Sequence, residues 1–138
     1  MTGCTKVSEG CDHCYAEIFA ERWRGVPGHP FEQGFDVRPL ARAAGPAAAV
    51  AEAKRIFLNS MSDLWHDAVG TEFIARVFAV MTLAERHTFQ VLTKRPGRMR
   101  SALASDRFWE MVRDAVLDYG PPSPAAEVAI RSRFLPNL

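Results

Sequence analysis

The sequence predicts an α/β fold with parallel strands, and two observations carry that prediction. Two short apolar runs, Arg55-Ile-Phe-Leu-Asn59 and Thr88-Phe-Gln-Val-Leu92, are each followed by a polar loop, and each loop leads into a segment of helical periodicity. Such alternation is the pattern of βαβ units with parallel strands and right-handed crossovers. The 138 residues, 48% hydrophobic and 24% charged, suit one domain with a core of its own.

Taken in order, a loop containing every cysteine runs into residues 15–24, where Ile18, Phe19, Arg22 and Trp23 suggest a short amphipathic helix ended by Gly25 and Pro27. Residues 28–39 carry Gly, Pro and aromatics without a period, and the Ala-rich stretch 41–53 contains Gly45 and Pro46, suited to opening a helix. Residues 55–59 read as a buried strand, with Ser60-Met-Ser-Asp63 as its loop. Thr71 suits an N-cap, and Phe73, Ile74, Val77, Phe78 and Met81 recur on one helical face. Residues 88–92 form the second strand, residues 93–97 its loop, and a helix follows from about Arg98. Ser105 can cap a further helix with Phe108, Trp109, Val112, Val116 and Leu117 on its apolar face, closed by Gly120-Pro-Pro122. The chain is thus one domain, 1–138: cysteine loop and first helix (1–25), repeated strand-loop-helix units (54–118) and a Pro-rich tail (119–138).

The charge balance, 17 basic against 16 acidic residues, gives a net +1 and no global field toward nucleic acid or membrane. No segment approaches the roughly 20 apolar residues of a membrane span, and the N-terminus lacks a signal-peptide pattern, so a cytoplasmic location is expected. Cys4, Cys11 and Cys14 are the only cysteines, and all lie in one short run. An odd number in a reducing compartment argues against disulfides and for a metal or cluster site. Three thiolates can hold a four-iron cluster and leave one iron open to bind something else. The alternative is a closed zinc site with His13 or His29 as fourth ligand, serving a non-catalytic binding module.

In parallel sheets ligands sit beyond the carboxyl ends of the strands, which places Asn59–Asp63 and Thr93–Arg95 on one face. Only Met1-Thr-Gly3 precede Cys4, too few for a strand that would bring the cysteine loop to the same place.

Thr2-Gly-Cys4 through Cys14-Tyr-Ala-Glu17, Asn59-Ser-Met-Ser-Asp63-Leu64 and Gln90-Val-Leu-Thr-Lys94-Arg-Pro-Gly-Arg98 carry a resemblance. Together they resemble a family of phage and bacterial proteins of unassigned function marked by a three-cysteine motif. That family is similar to radical S-adenosylmethionine enzymes, with C-x6-C-x2-C in place of C-x3-C-x2-C, and to spore photoproduct lyase-like proteins. The resemblance covers most of residues 2–100. It implies a radical S-adenosylmethionine-type (β/α) barrel, partial and incomplete at both ends, because the lookalikes are longer while this chain ends on Phe134-Leu-Pro-Asn-Leu138. An inactive truncated copy is the corresponding alternative to an active protein.

The resemblance further implies a [4Fe-4S] cluster on Cys4, Cys11 and Cys14 and S-adenosyl-L-methionine on the open iron, cleaved by one electron to a 5′-deoxyadenosyl radical. The implied function is modification or repair of a macromolecule, with a nucleic acid or a partner protein and an electron donor as partners. Asn59, Ser60, Ser62 and Asp63 are candidates for the amino group or ribose of the nucleoside cofactor, although such residues also make turns. Lys94 and Arg95 are candidates for a carboxylate or phosphate, with the resemblance favouring Lys94. Tyr15 either packs over the cluster or is a first-turn aromatic. His66 reads as a surface or capping residue beside Trp65, and Arg98, Arg100, Arg107 and Arg113 as a solvated helix face.

Overall fold

The computed structural model describes residues 2–38 and 52–138, so the helix opening at Gly45 and Pro46 lies outside the described residues. Strands β1 (Arg55–Leu58) and β2 (Thr88–Val91) pair in parallel, Arg55 opposite Thr88 and Leu58 opposite Val91. Around them lie α1 (Tyr15–Glu21), α2 (Thr71–Leu83), α3 (Pro96–Leu103), α4 (Asp106–Tyr119) and α5 (Pro124–Ser132). The parallel α/β class is therefore as expected. Among the described residues the sheet has two strands and displays no barrel.

Strand alternation decides which side is core. Ile56, Leu58, Phe89 and Val91 pack toward the helices, while Arg55, Phe57, Thr88 and Gln90 are exposed. The strands were expected to be buried on both faces, and instead one face is covered. The core lies between this face and the pair α2 and α4. Phe78 of α2 meets Phe108 at 5.3 Å and Trp65 at 5.8 Å between ring centroids, both edge to face.

The helix register differs from expectation in instructive places. Helix α2 begins at Thr71 itself, with Gly70 in the cap position. Leu117 is exposed, because one residue past Val116 the helix has turned by more than a quarter of a revolution. In α1 the expected apolar face is reversed: Ala16 and Ala20 are buried, whereas Ile18, Phe19 and Trp23 are exposed. Small side chains bring this helix close to the body, and its large ones point outward.

The Pro-rich tail contains α5. Ser123 accepts the Ala126 N–H with its side chain, and Pro124 stands where a missing N–H costs nothing. Beyond the helix, Leu135 is buried, the Asn137 carbonyl accepts the Phe89 N–H at 2.6 Å, and the Asn137 amide donates to the Met81 carbonyl at 3.0 Å. The last residues thus tie β2 to the end of α2.

Phe78 is 1% exposed and touches three aromatic rings. Phe78→Ala is expected to lower unfolding stability by about 3–5 kcal/mol in urea denaturation. A loss below about 1 kcal/mol would place the core elsewhere.

Candidate metal centre at the strand carboxyl ends

Thr2 and Gly3, the described residues before Cys4, form isolated bridges rather than a strand, and they are pinned. Thr2 exchanges both backbone hydrogen bonds with Arg38, at 3.0 and 2.9 Å, and Gly3 donates to the Met61 carbonyl at 3.0 Å in a parallel bridge with Ser62. Gly3 has φ +84°, and a Cβ there would stand 2.1 Å from the Asp36 carbonyl oxygen, so only glycine fits. This anchor delivers the cysteine loop to the end of β1.

Cys4, Cys11, Cys14, Asn59, Ser60, Ser62, Asp63 and Lys94 all line one open cleft of about 380 Å³. The three cysteines and the five cofactor candidates chosen from the sequence are therefore brought to the same place. Tyr15, Phe57 and Leu92 complete the wall, which is largely apolar beneath a polar rim. The Tyr15 hydroxyl donates to the Ser60 carbonyl at 2.7 Å, which fixes the first helix against the loop after β1.

The eight residues differ in what they leave available. Asn59 adopts φ +59°, a conformation asparagine tolerates, and its amide donates to the Ser62 hydroxyl at 2.7 Å. Asp63 is buried, and its carboxylate accepts from Trp65 N, Thr93 Oγ1, Lys94 N and Arg95 Nη1 at 2.8–3.1 Å. Its acceptors are taken by the protein itself. Lys94 is exposed, with its ammonium beside Gly10 of the cysteine loop. The Arg95 guanidinium, a candidate for a bound carboxylate or phosphate, is paired with the protein's own Asp63.

The thiols meet hydrogen-bond donors. Arg95 Nη1 lies 3.4 Å from Cys4 Sγ, and the Ser8 hydroxyl lies 3.8 Å from Cys11 Sγ. Hydrogen bonds from the backbone of Val7 and Ser8, then from the Ser8 side chain, with the Lys94 charge adding to them, hold Cys11 below its ordinary thiol pKa and favour the thiolate. Among the described residues no three His, Cys, Asp or Glu side chains converge on a point where a single ion would sit. His29 stacks on Trp23 at 4.3 Å and accepts the Phe31 N–H, so it is engaged away from the cysteines. Zinc needs convergent ligands, whereas a cubane places each thiolate on a different iron. The three cysteines line the same cleft, with an N–H donor at Cys4 and a hydroxyl at Cys11.

Thr5, which the sequence did not single out, completes the arrangement. Thr93 and Thr5 bridge the charged groups: Arg95 Nη2 donates to Thr5 Oγ1 at 2.8 Å, and Thr93 Oγ1 accepts the Arg95 N–H at 2.9 Å. Buried His66 accepts the Ala68 N–H at Nδ1, so its Nε2 carries the proton and donates to Thr5 Oγ1 at 2.9 Å. It was expected as a surface or capping residue, and it is instead buried, the cap position of α2 being held by Gly70. Arg98 is not a solvated cation, since its guanidinium donates to the carbonyls of Trp65, His66 and Val69.

A family model described as a protein of unknown function (DUF5131) matches residues 1–126. Comparison with curated proteins and with solved structures finds no match.

Burial, with the Arg95 charge second, lowers the His66 pKa in the folded chain, outweighing Asp67 and Asp63. The unfolded chain therefore binds this proton first as pH falls through about 6.5, and stability drops with it until the folded pKa is also passed. Denaturation at a series of pH values should show a shallower acid loss in His66→Gln than in the parent. Identical slopes would mean that His66 is not neutral in the folded state.

Proposed function

The chain belongs to the DUF5131 family, whose description assigns no activity, and we propose that it is an iron–sulfur protein of the radical S-adenosylmethionine type that acts on a macromolecule. One observation carries this reading: Cys4, Cys11 and Cys14 line a single cleft with the loops that follow two parallel strands. The accompanying fold reading takes the two strand-helix units as neighbours within a (β/α) barrel of that enzyme type. Cys4, Cys11 and Cys14 would hold a [4Fe-4S] cluster, whose remaining iron would take the amino and carboxylate groups of S-adenosyl-L-methionine. When bound, this pair supplies one-electron cleavage of the sulfonium.

The chain's own residues have separable roles. Backbone donors lower the Cys11 pKa, and Arg95 faces Cys4. Lys94, exposed at the rim, offers an ammonium to a carboxylate or phosphate. Asn59, Ser60 and Ser62 line the cleft where the amino group or ribose would lie, and Asp63 holds their loop in place. Phe57 and Leu92, exposed at 47% and 68%, give the cleft an apolar floor continuous with the uncovered sheet face. A base or a side chain presented by a large substrate can lie on such a surface, which favours a nucleic acid or protein substrate over a small molecule.

The test is anaerobic reconstitution with iron and sulfide, followed by counting both. The expected product is brown, with about four irons per chain, and Cys4→Ala, Cys11→Ala and Cys14→Ala should each lose most of the cluster. A colourless protein holding one zinc, or a full cluster retained without Cys4, would contradict the reading.

A further inference from the structure

We propose that Arg95 is a positioning residue that sets the reduction potential of this centre, by holding a guanidinium against the sulfur of Cys4. The proposal rests on the cluster reading above. Arg95 is 9% exposed, and its guanidinium reaches two other loops. Nη1 donates to Cys4 Sγ at 3.4 Å and to Asp63 Oδ2 at 3.1 Å, while Nη2 donates to Thr5 Oγ1 at 2.8 Å and to the Thr5 carbonyl at 3.4 Å. Its Nε has no hydrogen-bond partner among the described residues and lies 3.8 Å from Asp67 Oδ2. The side chain is thus fixed on Cys4 from several directions.

The placement runs against local preference. Arg95 occupies the N-cap position of α3, where the partial positive charge of the helix disfavours a cation. A short polar residue would cap better. What the arginine gains there is contact with Asp63, Thr5 and the Cys4 sulfur. A salt bridge to Asp63 alone could be made by lysine, but only the planar fork reaches a carboxylate, a hydroxyl and a sulfur at once.

The consequence is electrostatic. Arginine stays protonated at any working pH, so a buried positive charge and an N–H donor face one ligand sulfur. Hydrogen bonds to ligand sulfurs and nearby charge are among the levers that set iron–sulfur potentials. Both favour the state carrying the extra electron, and so raise the potential of the couple.

The parent, Arg95→Lys and Arg95→Met are reconstituted to full iron loading, and the one-electron couple is titrated with dithionite under paramagnetic resonance. Midpoints are expected to fall in that order, with about a tenfold change in the reduction equilibrium for Arg95→Met, equivalent to about 59 mV. The iron–thiolate stretching bands in resonance Raman should shift in the same order. Arg95→Lys keeps a charge for Asp63 and serves as the readout should Arg95→Met not fold. Equal midpoints and unshifted bands in fully loaded parent and Arg95→Lys would overturn the proposal, leaving Arg95 a structural clip. Failure of the parent to take up iron would instead overturn the cluster reading beneath it.

Discussion

The buried pair of Asp63 and Arg95 is the constraint on which the site depends. Asp63 comes from the loop after β1 and Arg95 from the loop after β2, so parallel pairing of two four-residue strands brings the two loops side by side. Thr93 shares the same carboxylate, and Thr5 receives the other arm of the guanidinium, which draws in the cysteine loop. Such a pair contributes little net stability, because desolvating two charges offsets most of their attraction, but removing one partner strands a buried charge at about 3–5 kcal/mol. Its effect is therefore on geometry. It admits one mutual arrangement of three loops and penalises others.

Stability and chemistry are divided between the two sides of the sheet. Helices α2 and α4 cover one face with a cluster of interlocking aromatic rings, and α5 with the final residues closes the end of α2. The opposite face leaves Phe57 exposed beside the cleft, with Leu92 just past β2. A rigid layer below and an open apolar floor above is a sound support for a site whose polar groups sit on loops. The small residues Ala16 and Ala20 let α1 seat closely next to the cysteines, and the hydroxyl of Tyr15 locks its first turn to the loop after β1.

The parts legible in the sequence were those encoded locally. Alternation of apolar run, polar loop and helical period located both strands and α2 to α4, and cysteine clustering located the metal candidates. The loops followed from the strands, since a parallel sheet puts their carboxyl ends together. What stayed hidden was encoded across distance. Asp63 reads as a free acidic ligand until Arg95, 32 residues on, is seen against it. Thr5 and His66 carry no local pattern at all, because their meaning is each other, 61 residues apart. Helix α5 was masked by the Pro-rich stretch that in fact caps it, and the face of α1 was misread because its alanines, not its large apolar residues, are the buried ones.

The central claim is that three cysteines act together and leave one metal position for a small-molecule ligand. Mössbauer spectroscopy of protein reconstituted with isotopically enriched iron, recorded with and without S-adenosyl-L-methionine, tests it most directly. The account predicts a cubane spectrum in which one iron of about four changes its parameters when the cofactor is added. A spectrum indifferent to the cofactor, with all irons equivalent, would contradict it.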